Sequence, residues 1–325
     1  MPGVKIISTG YYVPEKILTN ADLEKMVDTS DEWITTRTGI KERRIASDSE
    51  AVSDLAAASA ESAIGKAGIS RDEIDLIINA TFTADYPMPS SACVLGSKLG
   101  IKNVQMFDLS AACTGFIYGL SVGYSMIKAG LAKTALITGV EKLSSVTDWE
   151  DRESCIIFAD GAGSCIIQAS EEENFLSFSL GADGAFRDLL YIPAGGSKNP
   201  ASHKTVDERW HFVKMEGNKT FKIAVSRMKS VALAALEKAH VAPGDIKLLI
   251  PHQANMRIID ALARTLNFPM EKVFVNIDKL GNSSAATVPI GLAQAVEQGR
   301  VKRGDLVELV AFGGGFTWGA AVLRY

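Results

Sequence analysis

Apolar positions in this chain fall into short unbroken runs that alternate with longer Ala-rich stretches, the pattern of buried strands followed by packed helices. Residues 52–67 read as a helix punctuated by Gly68, and Ile74-Asp-Leu-Ile-Ile-Asn-Ala80 reads as a buried strand. The same order returns in the second part of the chain. Residues 221–239 form another Ala-rich helical stretch, a Pro-Gly-Asp turn follows at Pro243, and Ile246-Lys-Leu-Leu-Ile250 matches the earlier strand. Residues 104–109 lead into an apolar helix stopping at Gly130. Residues 273–277 lead through a Gly-Asn turn into a helix stopping at Gly299. With Val104 aligned on Val273, an offset of 169 residues, Cys113 falls opposite Asn282.

A repeat this long is no solenoid unit. It predicts two similar αβ halves, 1–170 and 171–325, joined near the polar Glu171-Glu-Glu-Asn174 and built of mixed, mostly parallel sheets with helices between and outside them. The expected class is α/β, layered αβαβα, with the active site where the halves meet.

Composition narrows the function. The 325 residues are 47% hydrophobic, which suits a large buried core, and the net charge of −4 is scattered, leaving no bulk footprint for nucleic acid or an anionic membrane. The N-terminus lacks a signal-like apolar run and no stretch reaches the ~20 apolar residues of a membrane span, so a cytoplasmic protein is expected. Four cysteines (Cys93, Cys113, Cys155, Cys165) without CxxC spacing fit neither a disulfide scaffold nor a zinc site. Cys93, Cys155 and Cys165 are read as small buried hydrophobes.

Three side chains stand just past strand-like runs: Cys113 in Asp-Leu-Ser-Ala-Ala-Cys-Thr-Gly-Phe, His252 in Pro-His-Gln-Ala-Asn, and Asn282 in Gly-Asn-Ser-Ser-Ala. One nucleophile and two hydrogen-bonding partners are the parts of a thiol acyl-transfer site. A thiol at a helix N-terminus is expected to titrate below its ordinary ~8.5. Taken singly, each residue keeps an alternative: a buried cysteine in a small-residue turn, a structural histidine, an asparagine tolerating a left-handed turn. His203, His211 and His240 lie in polar or helix-end surroundings, leaving His252 as the best imidazole. Gly313-Gly-Gly-Phe-Thr-Trp318 follows an apolar strand and is either a tight turn or a close backbone approach presenting an N–H to an oxyanion. Ala159-Asp-Gly-Ala-Gly163 lacks the rest of a dinucleotide fingerprint, which excludes a nicotinamide reading.

Together with residues 20–34 (Asn-Ala-Asp-Leu-Glu-Lys-Met-Val-Asp-Thr-Ser-Asp-Glu-Trp-Ile) and 311–319 (Ala-Phe-Gly-Gly-Gly-Phe-Thr-Trp-Gly), these motifs make the whole chain resemble the β-ketoacyl-acyl carrier protein synthase III family of thiolase-fold condensing enzymes. The resemblance implies that an acyl-coenzyme A primer acylates Cys113 and that malonyl-acyl carrier protein then loses carbon dioxide. His252 and Asn282 would hold the resulting enolate, and the backbone N–H groups of Cys113 and Gly315 the oxyanion of acyl transfer. It further implies a coenzyme A site at Trp33, Arg37 and Arg152, with Thr29 and Asn218 as secondary members, and no permanently bound cofactor or metal.

The acidic carrier protein calls for a local basic patch, for which Arg257 and Arg264, seven apart on one helix face, and Lys222 are candidates. Met88 stands where some acetyl-selective relatives place a bulky aromatic in the partner's primer pocket, which implies a homodimer and leaves the primer open, and the stretch 195–214 is longer than in comparable relatives. Two other activities share the three residues: a polyketide- or quinolone-type condensing enzyme using malonyl-coenzyme A, and a thioesterase.

Overall fold

The computed structural model describes residues 1–325. A five-stranded sheet runs in the order β1 (Gly3–Tyr12), β7 (Asp160–Ser170), β6 (Thr134–Lys142), β4 (Leu76–Ala80), β5 (Gln105–Leu109). A four-stranded sheet runs β11 (Leu248–Pro251), β12 (Leu306–Gly313), β13 (Thr317–Arg324), β8 (Phe175–Ala182). In the first sheet β4 pairs parallel with β5 and β6, while β6–β7 and β7–β1 are antiparallel. The second repeats this: β11–β12 parallel, then β12–β13 and β13–β8 antiparallel.

Helices α5 (Gly115–Lys128) and α10 (Thr287–Glu297) lie between the sheets and share one apolar cluster with the inward faces of both. Gly119 and Gly123 make the close approach possible, since a Cβ on Gly123 would stand 2.8 Å from Ile137 Cδ1. Outside the first sheet pack α3 (Val52–Ala67) and α4 (Ser91–Leu99), and outside the second α7 (Gly217–Ala239) and α8 (Met256–Leu266). This is the expected αβαβα layering. Two small two-stranded antiparallel sheets, β2 (Lys16–Thr19) with β3 (Glu42–Ile45) and β9 (Leu190–Tyr191) with β10 (Lys214–Met215), and short helices α1 (Asn20–Leu23), α2 (Asp31–Thr38), α6 (His203–Asp207) and α9 (Ile277–Leu280) occupy the connections. Residues 171–174 form the passage from β7 in one sheet to β8 in the other.

Four expectations need correction. Helix α7 begins at Gly217, four residues before the Ala-rich stretch suggested. The expected strand at 273–277 is reduced to one parallel bridge between Val273 and Leu249. There the Gln253 side chain stands in for a neighbouring strand: its Nε2 donates to the Phe274 carbonyl at 3.1 Å and its Oε1 accepts from Asn276 N–H at 3.2 Å. Cys93 is exposed, because α4 turns Ser91, Ala92, Leu95, Gly96 and Leu99 inward and leaves position 93 to solvent. Finally, Leu76 and Leu248, Thr134 and Leu306, Ala112 and Ser284, and Gly115 and Thr287 open corresponding elements, each pair 172 residues apart. The residue opposite Cys113 is therefore Ala285. The offset of 169 describes only the segment from Val104 and Val273.

Candidate active site

Cys113 sits in a single 3-10 turn, Ala112–Thr114, between β5 and α5, so its thiol lies at the α5 N-terminus. Ala112 takes the left-handed φ of 47° that swings the chain into the helix. Gly313 lies against this turn, where a Cβ would stand 2.6 Å from Cys113 N. The glycine run thus works as a close backbone approach. His252 follows β11, with its N–H held by the Val310 carbonyl at 2.7 Å. Asn282 is clamped through its backbone, donating to the Ile157 carbonyl at 3.0 Å and accepting from Ala159 N–H at 2.9 Å. Three separate connections converge on one cavity.

That cavity encloses about 300 Å³ and is lined by Cys113, His252 and Asn282 together with Trp33, Arg37 and Asn218. Ser284 connects the site. Its hydroxyl donates to Cys113 Sγ at 3.3 Å, and its backbone N–H donates to Asn282 Oδ1 at 2.8 Å. With the amide oxygen taken, Asn282 presents its Nδ2 donors elsewhere. His252 Nδ1 lies 2.7 Å from Thr287 Oγ1, leaving Nε2 as the ring nitrogen for the cavity.

Burial holds His252 down to about 3, so its imidazole is neutral at physiological pH. The cysteine departs from the sequence expectation: its thiol is pushed up to about 11 rather than depressed. Burial is the largest cause and the Glu141 carboxylate adds to it, while the Ser284 hydroxyl and the N–H groups of Cys113 and Gly314 pull the other way. Of the three glycine amides, Gly314's is the one bearing on the sulfur. Gly315, at φ 134°, precedes a cis peptide bond to Phe316.

At the mouth, the guanidiniums of Arg37 and Arg152 each lie 4.5 Å from the Trp33 ring centroid. Arg152 also donates to the Asp28 carbonyl at 2.9 Å, and Asn255 ties Arg37 to the start of α8 by donating to its carbonyl at 3.0 Å. Guanidiniums on an indole put a flat aromatic face beside positive charge, chemistry suited to a planar base and its phosphates. Thr29 lies outside the cavity lining, its buried hydroxyl without a partner. Arg257 lies on the rim over the Phe221 ring, Arg264 is exposed further along α8, and Lys222 lines a neighbouring groove with Lys219. Met88 does not line its own chain's cavity and is 85% exposed.

Comparison with known proteins decides the family. The family model described as 3-Oxoacyl-[acyl-carrier-protein (ACP)] synthase III matches residues 107–184, and its C-terminal counterpart matches residues 236–325. A β-ketoacyl-[acyl-carrier-protein] synthase III of Fusobacterium nucleatum is 48% identical over 326 aligned residues, covering 100% of this chain and 99% of the relative. The crystal structure of 3-oxoacyl-[acyl-carrier-protein] synthase III from Aquifex aeolicus VF5 is similar with a TM-score of 0.92 at 50% identity, covering 99% of this chain and 100% of that one. The chain belongs to the 3-oxoacyl-[acyl-carrier-protein] synthase III family. It is a thiolase-fold condensing enzyme, an acyltransferase. The priming β-ketosynthase of the R1128 polyketide pathway is also similar, with a TM-score of 0.93 at 31% identity over 99% of this chain and 96% of that one.

The sequence reading of this synthase missed Ser284, Thr287 and Gly314. At the structural offset, Thr287 replaces Gly115 and His252 replaces Ala80, two polar residues where the other half has two of the smallest. That contrast was available in the sequence once the elements were aligned at 172.

Proposed function

We propose that this synthase opens fatty-acid synthesis by condensing a short or branched acyl-coenzyme A primer with malonyl-acyl carrier protein, working as a cytoplasmic homodimer. Cys113 Sγ forms a bond to the primer carbonyl as the bond to the coenzyme A sulfur breaks, and the thiol proton ends on the departing sulfur. The oxyanion formed on the way is met by the N–H groups of Cys113 and Gly315. Trp33, Arg37 and Arg152, with Thr29 and Asn218, hold the nucleotide end of the carrier. Malonyl-acyl carrier protein then docks through Arg257, Arg264 and Lys222, and its terminal carbon–carbon bond breaks to release carbon dioxide. The electron pair left behind is held as an enolate by donors from His252 and Asn282 until it attacks the acyl-enzyme and expels the Cys113 sulfur.

The observation that carries this reading is the single cavity lined by Cys113, His252 and Asn282 together with Trp33, Arg37 and Asn218. Burial supports the division of labour. A neutral imidazole is a donor that costs no proton rearrangement as charge develops, and a water-excluded pocket strengthens each hydrogen bond to the enolate. The homodimer draws support from β5, the outer strand of its sheet, whose Phe107 and Leu109 are only half-buried. The exposed Met88 lies on the loop that enters α4, whose first N–H groups bond Asp108 of β5. From there Met88 would close the neighbour's primer pocket, and a methionine repacks around larger acyl groups more readily than a rigid ring does.

Intact-mass measurement after exposure to a panel of acyl-coenzyme A primers tests the nucleophile: the adduct is expected on the parent and absent from Cys113→Ser. Carbon dioxide release from malonyl-acyl carrier protein tests the reaction. Turnover by hydrolysis of the adduct, without decarboxylation, would overturn condensation in favour of a thioesterase.

A further inference from the structure

The Thr287 hydroxyl oxygen lies 2.7 Å from His252 Nδ1 and 3.1 Å from the Ser284 carbonyl oxygen. It carries one proton, so it donates to one of them and not to both. If the proton goes to the carbonyl, Nδ1 must supply its own hydrogen and Nε2 faces the cavity as a bare acceptor. If it goes to Nδ1, the ring proton sits on Nε2 and faces the cavity as a donor. The Ser284 carbonyl already accepts the backbone N–H of Thr287, so it does not need the hydroxyl. Nδ1 is buried, and Thr287 is its only hydrogen-bond partner, at the shorter of the two distances.

We propose that Thr287 is a positioning residue that donates to His252 Nδ1 and thereby keeps the histidine proton on Nε2, aimed into the cavity.

The other half of the molecule shows that the fold does not need this pair. The equivalents of His252 and Thr287 are Ala80 and Gly115, which pack so closely that a Cβ on Gly115 would stand 3.1 Å from the Ala80 methyl. Strand end and helix start close there with no polar side chain at all. In the second half the same place holds an imidazole and a hydroxyl in hydrogen-bond contact. Because burial keeps His252 neutral, protonation cannot supply donors on both nitrogens, and the tautomer alone decides whether Nε2 gives or accepts a hydrogen bond. The inference rests on the reading that His252 donates to the enolate, and a measurement on the resting enzyme separates the two.

Nitrogen-15 NMR of the histidine-labelled enzyme reads the tautomer directly. The His252 proton is expected on Nε2, and a proton on Nδ1 in the parent would overturn the assignment whatever the activity. Thr287→Val, which keeps the shape and removes the hydroxyl, is expected to shift the ring toward the other tautomer. It should slow malonyl decarboxylation by about tenfold or more while primer acylation stays within about twofold. Thr287→Ser should restore both signal and rate; because it retains the hydroxyl, it also serves if the valine variant folds poorly. Equal loss of both half-reactions with an unchanged ring signal would reduce Thr287 to a packing residue. Full decarboxylation by His252→Ala would overturn the donor role of the histidine, and the parent spectrum would still decide the tautomer.

Discussion

At the entry to each central helix the chain makes the same turn twice. Ala112, at φ 47°, leads through a 3-10 turn into α5, and Ser284, at φ 49°, leads through another into α10. The backbones match and the side chains do not. The first turn is made of Ala, Cys and Thr and supplies the thiol. The second, with Asn282 before it and Thr287 after it, supplies the hydroxyl on the sulfur, the oriented amide and the histidine's partner. A duplicated turn–helix unit thus provides two frames facing one cavity. In the proposed reaction, one holds the group that forms the covalent bond, and the other holds groups that stabilise charge.

The largest expected effect breaks the two frames apart. His252→Ala and Asn282→Ala remove the donor held by the second frame's Thr287 and the donor on the frame itself, leaving the first frame intact, so malonyl decarboxylation should fall by roughly 10²–10³-fold each, the scale for loss of one oxyanion-type donor. Primer acylation, read by intact mass, should fall by less than about tenfold. If both variants acylate as poorly as they decarboxylate, the division between the frames is wrong.

A second asymmetry lies deeper in the strands. Glu308 in β12 is fully buried, its carboxylate has no hydrogen-bond partner, and its register neighbours are Leu249 and Val322. The equivalent in β6 is Leu136, between Ile77 and Ile166. Burial pushes Glu308 up to about 8 from an ordinary 4.5. A carboxyl raised in the folded state binds its proton more tightly there than in the unfolded chain. The stability it allows is therefore complete below pH 4.5 and is lost as pH rises through 8. Glu308→Leu copies the other half and removes this titration. Relative to the parent it should gain stability steadily from about pH 5 to pH 8, reaching a few kcal/mol, roughly, and then level off. Glu141, also pushed up to about 8, is present in both proteins and cancels in the difference. A difference in melting temperature that does not vary with pH would show that Glu308 pairs with a group or water that neutralises it.

These contrasts explain how much the sequence could disclose. The layers were legible because burial writes itself into unbroken apolar runs such as Leu76–Ala80 and into Ala-rich helices such as Val52–Ala67. Cys113 and His252 stood out because each follows a strand, and Asn282 because it sits in a small-residue turn; the structure brings all three to one cavity. What stayed hidden depends on distances that no local pattern encodes. Ser284 and Cys113 are 171 residues apart, and their contact exists only once the two turns face each other. The direction of the thiol's shift was misread for the same reason: a helix N-terminus is visible in sequence, whereas the burial that outweighs it is a property of both halves together. The strand expected at 273–277 failed because a single side chain, Gln253, takes over its pairing.

The smallest effect tests whether the second frame also reaches into the first half-reaction. Ser284 donates to Cys113 Sγ, and a hydrogen bond to a thiolate favours the ionised form, so losing it in Ser284→Ala should raise the thiol further above its present value of about 11. At neutral pH only the small ionised fraction attacks, and that fraction grows about tenfold per pH unit below the pKa. Acylation of the parent should therefore climb with nearly that slope between pH 6 and 8. Ser284→Ala should run parallel to it and about tenfold lower, as expected for a hydrogen bond to a charged group. Decarboxylation, which depends on a histidine neutral throughout this range, should show no such slope in either protein. Because the Ser284 N–H that orients Asn282 belongs to the backbone, the alanine variant keeps it, which leaves the second half-reaction as an internal control. A pH-independent acylation rate would mean that a base within the cavity removes the thiol proton, and His252 would then have to serve both frames.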